Sequence, residues 1–283
     1  MNLPFNIDLK DKVAVVTGGG GVLCSYFAKT IASCGAKVAI LDLNLDAALK
    51  VADEIKNDGG TAIGISANVL NKESLEEAKK IINDSLGSID ILLNGAGGNN
   101  PKGTTSKEYY EIGDETKEDV KSFFDLDPDG ISFVFDLNFL GTLLPTQVFA
   151  PDLIGKKDAS IINISSMNAF SPLTKIPAYS GAKAAVSNFT KWLAVHFSKV
   201  GIRVNAIAPG FFLTNQNKSL LLNENGEYTD RSKKILSQTP MNRFGKTEEL
   251  AGTLLYLLCH EASSFVNGIV IPVDGGFSAY SGV

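Results

Sequence analysis

The segment Val13-Ala-Val-Val-Thr-Gly18-Gly-Gly-Gly21 places four glycines directly after a short apolar run rich in valine. A stretch with helical patterning follows, and a second apolar run, Lys37-Val-Ala-Ile-Leu-Asp42, then ends in an acid 24 residues after Gly18. Strand, glycine turn, helix, strand and acid, in that order, are typical of a dinucleotide-binding βαβ unit. In such a unit the glycines let backbone N–H groups approach a pyrophosphate, and the acid meets the adenosine ribose hydroxyls.

The same alternation of strands and helices continues along the chain. Helices are predicted at 45–57 and 73–86, and further strands at 61–67, 89–94, 160–165, 203–208 and 269–273. This alternation predicts a doubly wound α/β fold, in which a mostly parallel seven-stranded sheet carries helices on both faces. We therefore expect residues 1–283 to form a single Rossmann-type domain.

Bulk composition restricts the class of partner. The chain is 44% hydrophobic and 20% charged, with a net charge of −5, which argues against a nucleic acid or an anionic membrane as the main partner. Apolar runs such as Leu254-Leu-Tyr-Leu-Leu-Cys259 are too short to span a bilayer, and the first residues lack a signal sequence, so a cytoplasmic location is expected. Three scattered cysteines and two histidines fit neither a disulfide framework nor a metal site.

Tyr179 and Lys183 carry the clearest chemical signal. Their spacing of four places the phenol and the ammonium on one face of a helix, where the positive charge would lower the pKa of the phenol. Ser166 lies thirteen residues before Tyr179, at the carboxyl end of the predicted strand 160–165. Open α/β sheets bind ligands at that end of their strands. An isolated pair of this spacing is usually an ordinary surface pair, so the combination is what indicates a site.

Together these features resemble the short-chain dehydrogenase/reductase family over about residues 10–278. The motifs that carry the resemblance are Thr17-Gly18, Asp42, Asn94-Gly-Ala-Gly97, Asn138, Ser166, Tyr179, Lys183, Pro209-Gly210 and Val273-Asp-Gly-Gly276. The resemblance implies hydride transfer between a nicotinamide and a carbinol or carbonyl carbon.

Four catalytic residues follow from the resemblance. Tyr179 would exchange a proton with the substrate oxygen, and Lys183 would lower its pKa and hold the nicotinamide ribose. Ser166 would hydrogen-bond the substrate oxygen as charge develops on it. Asn138 would hold a water that links Lys183 to solvent.

The resemblance also implies a set of cofactor-binding residues. They are Thr17, Gly18, Gly20, Gly21, Val22, Leu23, Asp42, Asn68, Val69, Asn94, Gly95, Ala96, Gly97, Tyr179, Lys183, Pro209, Gly210, Phe212 and Thr214. The chain departs from the family pattern within this set. Val22 and Cys24 stand where the second and third glycines are expected, and Gly95 and Asn68 replace an Asn and an Asp. A cysteine at the third glycine implies a slightly displaced first helix.

Asp42 bears on the choice of nicotinamide. Its carboxylate accepts hydrogen bonds from both ribose hydroxyls and repels a 2′-phosphate. No Arg or Lys lies in the glycine turn or just after Asp42 to hold that phosphate. The sequence therefore predicts NAD(H) in preference to NADP(H).

Two long segments interrupt the alternation, an insertion at about 98–126 and a substrate loop at about 211–243. Long loops in a compact domain are usually functional or mobile, although the insertion could equally be a surface decoration or an oligomer contact. A strongly polar group of residues is expected near the pocket: Asn99, Asn100, Lys102, Thr104, Thr105, Asn168, Lys175, Asn215, Gln216 and Asn217. The substrate contacts predicted are Asn99, Lys102, Ser166, Asn168, Tyr179 and Gln216, with Lys102 as a partner for a carboxylate or else a solvated loop lysine.

Within the family, the runs around Asn138 and Thr214 resemble the subgroup of D-mannonate oxidoreductases, or fructuronate reductases. This implies reversible NAD-linked interconversion of D-fructuronate and D-mannonate by a homo-oligomer, most often a tetramer. A dehydrogenase of another sugar acid or of a polyol, such as a gluconate 5-dehydrogenase, remains open. So does a non-catalytic NAD(H)-binding sensor, which the unusual glycine turn alone favours.

Overall fold

The structure, a computed structural model, describes residues 7–214 and 218–282. Seven strands form one sheet in which every pairing is parallel, in the spatial order β3-β2-β1-β4-β5-β6-β7. The strands are β1 (Val13–Thr17), β2 (Lys37–Asp42), β3 (Thr61–Ser66), β4 (Ile91–Asn94), β5 (Ser160–Ile164), β6 (Arg203–Pro209) and β7 (Val270–Val273). The predicted sheet is confirmed.

Helices connect the strands as the sequence pattern predicts. They are α1 (Val22–Ser33), α2 (Leu45–Asn57), α3 (Lys72–Ser85), α4 (Pro128–Phe135), α5 (Gly141–Phe149), α6 (Pro177–His196), α7 (Lys218–Leu221), α8 (Asp230–Ser237), α9 (Ala251–Leu258) and α10 (His260–Ser263). The predicted helix at 45–57 matches α2, where the Asn44 side chain accepts a hydrogen bond from the Ala47 N–H and so caps the helix.

Each strand presents alternate residues to two separate hydrophobic cores. In β1, Ala14 and Val16 face a core closed by α1, α2 and α9, whereas Val13 and Val15 face a core closed by α3, α5 and α6. All five residues of β1 are buried, because both faces of the sheet are covered. The two-layer covering explains why the strands read as continuous apolar runs.

The strand order reverses between β1 and β4, which is where open α/β sheets form their ligand crevice. The carboxyl ends of neighbouring strands meet there in register, Thr17 of β1 opposite Asn94 of β4 and Asn94 opposite Asn163 of β5. Ser166 and most of the residues predicted for the cofactor follow these strand ends. The fold therefore brings them to one edge of the sheet.

The two long segments contact each other at this edge. In the insertion, short 3-10 turns at Pro101–Gly103, Asp114–Thr116 and Phe123–Asp125 alternate with irregular chain. An ion pair between Glu108 of the insertion and Lys234 of α8 joins the insertion to the substrate loop.

A longer apolar stretch than the sequence analysis recognised runs through Pro128–Leu153. It combines α4, a π-helical turn at Asp136–Leu140, α5 and a 3-10 turn, and within the described residues it alone reaches membrane-spanning length and a mean hydropathy of 1.3. Half of the residues in its most apolar 18-residue window are buried, and the stretch packs on α3 and α6. Its apolar character is therefore accounted for by core packing in this fold.

Candidate active site

The glycine turn and the end of β2 are tied together by Asp42. One carboxylate oxygen accepts the Gly20 N–H at 3.0 Å, and the other accepts the Asn44 N–H at 3.0 Å. A Cβ on Gly20 would lie 2.7 Å from the Ala47 Cβ and 3.0 Å from the Asp42 carboxylate, so only glycine fits. Each carboxylate oxygen has a further lone pair, which leaves acceptor capacity for ribose hydroxyls.

Thr17 joins the glycine turn to the segment after β4. Its hydroxyl oxygen accepts the N–H groups of Gly95 and Ala96 at 3.1 and 3.3 Å. Gly18 has a φ of +62°, and a Cβ there would lie 2.8 Å from the Ala96 Cα. The two backbones thus touch at the crevice, which requires glycine on both conformational and steric grounds.

Cys24 and Gly95 share one space. A Cβ on Gly95 would lie only 2.2 Å from the Cys24 Sγ, which is far inside van der Waals contact. The two departures from the family pattern therefore compensate each other, since the side chain present at 24 occupies the room left by the one absent at 95. Burial raises the pKa of the Cys24 thiol to about 12, so the thiol stays protonated and packs as a small apolar group.

The first turn of α1 points its unpaired donors toward the crevice. Gly21 is the N-cap residue and supplies no side-chain cap, so the N–H groups of this turn lack the usual intrahelical partners. A helix N-terminus of this kind is an anion site, and a pyrophosphate is the anion that the fold would bring there. Val22 and Leu23 are the first two residues of α1.

The remaining predicted cofactor residues line the same edge. Asn68 folds its side-chain oxygen onto the Leu70 N–H at 2.9 Å, and Val69 is buried against Gly141. Gly210 follows β6 and approaches Asp274 so closely that a Cβ would lie 2.5 Å from the Asp274 Cβ. The rest of this group are Asn94, Gly97, Pro209, Phe212 and Thr214, of which Phe212 packs its ring on Gly245.

Tyr179 and Lys183 lie on one face of α6, as predicted. The Lys183 Nζ is 5.7 Å from the centre of the Tyr179 ring, and it donates a hydrogen bond to the Ile164 carbonyl at 2.8 Å. Ile164 ends β5 two residues before Ser166. The ammonium is thus anchored between the tyrosine and the strand that carries the serine. Sequence reasoning missed this carbonyl, because backbone acceptors leave no sequence signal.

The expected direction of the Tyr179 pKa is wrong in this structure. Burial raises the pKa of the phenol, and a hydrogen bond with Ser166 acts in the opposite direction but is weaker. The effect of burial outweighs that of the neighbouring Lys183 charge, whose ammonium donates to the Ile164 carbonyl. Burial also lowers the pKa of Lys183 to about 8, so the ammonium is still mostly charged at neutral pH.

Ser166 caps the 3-10 turn Met167–Ala169. Its Oγ accepts the Asn168 N–H at 3.2 Å, which leaves the hydroxyl proton available to an oxygen in the crevice. Asn168 is buried, and its side-chain oxygen makes no hydrogen bond within the described part of the chain. A buried unpaired oxygen is costly, so a ligand hydroxyl at this point would be stabilising. The neighbouring Ser165 hydroxyl hydrogen-bonds to the Ser187 hydroxyl on α6 instead.

Asn138 lies in the π-helical turn Asp136–Leu140, a feature frequent at functional sites. Its amide group donates to the carbonyls of Gly98 and Val134, both at 2.7 Å, and its oxygen accepts the Gly98 N–H at 3.3 Å. Both amide protons are therefore used, and a water here can only be held through an oxygen. A Cβ on Gly97 would lie 2.6 Å from the Asn138 oxygen and 3.1 Å from the Lys183 Nζ. This glycine brings the two side chains close together.

The structure brings only some of the predicted substrate residues close to Tyr179. The Asn99 amide donates to the Thr104 hydroxyl within the insertion, and Lys102 forms an ion pair with Asp127 at 3.1 Å. Gln216, with Asn215 and Asn217, lies outside the described residues. Ser166, Asn168 and Tyr179 are brought together at the end of β5 and the start of α6.

Comparisons with known proteins agree with this geometry. A family model described as short chain dehydrogenase matches residues 12–225. The Bacillus subtilis protein named uncharacterized oxidoreductase UxuB is 53% identical over 281 residues, which cover 99% of this chain and all of that protein.

Two solved structures are informative. A crystal structure described as a proposed D-mannonate oxidoreductase of Haemophilus influenzae, with bound NAD, is 60% identical, covers all of both chains and superposes with a TM-score of 0.95. A gluconate 5-dehydrogenase from Burkholderia cenocepacia, in complex with NADP and tartrate, is 27% identical with a TM-score of 0.82, covering 98% of this chain and 99% of that one.

Proposed function

The chain belongs to the short-chain dehydrogenase family, and on that premise we propose that it transfers a hydride reversibly between NAD(H) and a sugar acid, with D-fructuronate and D-mannonate as the substrate pair. The observation that carries the proposal is the placement of Lys183, which lies 5.7 Å from the Tyr179 ring and is fixed to the strand end beside Ser166. This is an arrangement for proton exchange with a substrate oxygen.

The residues present fit a nicotinamide dinucleotide. The close approach of backbones at Gly18, the uncapped first turn of α1 and the spare acceptor capacity of Asp42 suit an adenosine diphosphate group. When bound, the nicotinamide supplies or accepts the hydride. Asp42 would favour NAD(H) over NADP(H), since its carboxylate would repel a 2′-phosphate.

Tyr179 serves as the proton donor in the direction of reduction. The raised pKa keeps the phenol protonated at neutral pH. As the substrate carbonyl gains negative charge, the phenol gives up its proton to that oxygen. The ammonium of Lys183 then stabilises the phenolate electrostatically, because the two charges lie close together in a buried site.

Ser166 and Asn138 prepare the site for this step. The Ser166 hydroxyl accepts from the Asn168 N–H and can donate its own proton to the substrate oxygen, which stabilises developing charge. Asn138 is fixed by three hydrogen bonds to Gly98 and Val134 and holds the approach to Lys183 in place. A water on its oxygen would connect Lys183 with solvent for proton return.

Support for a sugar-acid substrate comes from two sides. Polar residues lie beside Tyr179: Ser166 and Asn168 are buried, and the Asn168 side-chain oxygen has no hydrogen-bond partner among the described residues. The Haemophilus influenzae structure similar to this chain over its full length is described as a proposed D-mannonate oxidoreductase.

Another sugar acid is the alternative substrate. The gluconate 5-dehydrogenase with bound tartrate shares the fold at 27% identity, so polar acids of this general kind bind to similar scaffolds. A non-catalytic sensor is disfavoured by the complete set of Asn138, Ser166, Tyr179 and Lys183.

We also propose a homotetramer in the cytoplasm. On α6, Trp192 and Val195 are exposed, and Trp192 stacks on Phe189 and His196. An exposed aromatic stack on a long helix suits a contact between subunits.

Substrate profiling tests the proposed function. The loss of NADH absorbance is followed with D-fructuronate, 5-ketogluconate, other keto acids and simple ketoses, and the panel is repeated with NADPH. The proposal expects the highest kcat/KM for D-fructuronate with NADH. Faster turnover of another keto acid would replace the substrate and keep the mechanism, whereas NADH binding with no turnover of any panel member would favour a sensor.

A further inference from the structure

A sugar-acid substrate needs a cation for its carboxylate, and the structure narrows the choice. Lys102, which the sequence favours, is held at Asp127 twice, by an ion pair at 3.1 Å and by its carbonyl, which accepts the Asp127 N–H at 3.2 Å. The Lys102 Cβ also packs closely on Gly130, because a Cβ added to Gly130 would lie only 2.5 Å from it. Lys102 is thus a structural link between the insertion and α4.

The other lysines of the insertion are also engaged. Lys107 and Lys117 both pair with the buried carboxylate of Asp114, at 3.1 and 2.9 Å. Lys121 donates to the Pro101 carbonyl at 3.0 Å. Opposite the insertion, Lys234 pairs with Glu108 and Arg243 with Glu249. A substrate carboxylate would have to compete with an existing ion pair or hydrogen bond at each of these cations.

Lys175 differs from all of them. The ion pairs found among residues 7–214 and 218–282 include none to its ammonium. It is only partly exposed, and it lies four residues before Tyr179, just outside the start of α6. It therefore sits on the loop that runs from the turn of Ser166 to the catalytic helix.

The backbone of Lys175 is strained. Its φ is +71°, in the left-handed region, and the other non-glycine residues described there are Asp11, Asp158 and Asn242. Asp and Asn tolerate this conformation through local hydrogen bonds, whereas lysine gains nothing from it. Strain of this kind persists where the surroundings enforce it, and it clusters at ligand sites.

The insertion contributes to holding this conformation. The Thr105 N–H donates to the Lys175 carbonyl at 2.9 Å, so the first part of the insertion fixes the loop before α6. Thr105 is itself held by a hydrogen bond from its hydroxyl to the Lys107 carbonyl at 2.8 Å. The insertion thus acts on the substrate side through the backbone of Lys175.

We propose that Lys175, fixed by the insertion through Thr105, binds the substrate carboxylate and sets the preference for acids over neutral sugars. The inference rests on the proposed function and specifies its substrate class. Lys175 is a specificity residue in this role, remote from the hydride and proton steps at Tyr179. Its ammonium neutralises the carboxylate at the far end of the sugar chain from the reacting carbonyl.

D-Fructuronate and D-fructose test the proposal, because they differ only in a carboxylate against a hydroxymethyl group. The ratio of their kcat/KM values with NADH is measured for the wild type, Lys175→Asn, Lys175→Arg and Lys102→Met. Asparagine tolerates the left-handed backbone, so Lys175→Asn removes the charge without adding strain. Arginine keeps the charge.

The expected result is that Lys175→Asn lowers kcat/KM for D-fructuronate by about 10- to 100-fold, the scale of one charge-assisted hydrogen bond, and leaves D-fructose turnover within about twofold. Lys175→Arg should retain most of the preference. If turnover of D-fructose is too slow to measure, the KM for D-fructuronate is compared instead: a rise in Lys175→Asn, but not in Lys175→Arg, supports the proposal.

Two results would overturn the inference. One is an unchanged ratio in Lys175→Asn, which would make the strained lysine a feature of the loop alone. The other is a loss of preference in Lys102→Met and not in Lys175→Asn, which would return the carboxylate to Lys102. If the wild type turns over no carboxylate substrate at all, the proposed function fails first, and that outcome is visible before any variant is compared.

Discussion

Gly95→Ala tests the shared space between Gly95 and Cys24. The added methyl carbon would lie 2.2 Å from the Cys24 Sγ, 3.0 Å from the Thr17 carbonyl oxygen and 3.2 Å from the Leu93 Cδ2. The sulfur must move by more than an ångström in a buried, close-packed site, and overpacking of this kind costs about 1–3 kcal/mol. Gly252→Ala is the matched control, since a Cβ there meets nothing within 4 Å and should leave stability unchanged or slightly raised.

Cys24→Ala in the same background completes a double-mutant cycle. Alone it removes a buried sulfur and should destabilise by about 1 kcal/mol. In the double variant, the sulfur lost at position 24 makes room for the methyl group gained at position 95. The double variant should therefore be more stable than Gly95→Ala alone, with a coupling energy between the two substitutions of about 1–3 kcal/mol. Urea unfolding at one fixed protein concentration measures all four proteins. Additive effects, within about 0.5 kcal/mol, would refute a shared space.

Three further outcomes follow from the site. Burial lowers the pKa of Lys183 to about 8 from 10.5, so the unfolded chain holds a proton that the folded chain has released, and this contribution to stability rises with pH between those values. The Cys24 thiol opposes this rise above about pH 9, because burial raises its pKa from 9.0 to about 12. Urea unfolding between about pH 8 and 9 should therefore show the rise in the wild type and lose it in Lys183→Met; an equal slope in both would contradict the burial argument. Asp42→Ala removes the acceptor of the Gly20 N–H, so it should raise KM for NADH about tenfold and reduce the preference for NADH over NADPH. An unchanged ratio of kcat/KM for the two cofactors would count against the role of Asp42. Glu108→Gln breaks the exposed pair with Lys234, so it should lower stability by no more than about 1 kcal/mol yet speed amide hydrogen exchange in residues 105–121; unchanged exchange would mean that the pair does not restrain the insertion.

The sheet could be predicted from the sequence because each strand is an apolar run with a clear stop. The two cores bury β1 on both faces, and the continuous apolar run Val13-Ala-Val-Val-Thr is the composition that such a strand needs. The positions of Ser166, Tyr179 and Lys183 follow equally well, since strand ends and helical spacing fix them. These parts of the molecule depend on local patterns.

Other features depend on contacts between distant residues. The compensation of Cys24 by Gly95 joins positions that look like two unrelated departures in the sequence. The raised pKa of Tyr179 results from burial of the phenol, which spacing cannot reveal. The insertion has little periodic pattern. Its ion pair between Lys102 and Asp127 and its hydrogen bond from Thr105 to the Lys175 carbonyl could therefore be found only from the structure.

The central claim is that Tyr179 exchanges a proton with a sugar-acid substrate in a competent NAD-linked enzyme. It is tested most directly by comparing NADH oxidation with D-fructuronate in the wild type and in Tyr179→Phe, with NADH affinity measured separately by fluorescence. The account predicts that the variant loses about 10²- to 10⁴-fold in kcat and binds NADH as the wild type does. Turnover by Tyr179→Phe within a few-fold of the wild type would contradict it.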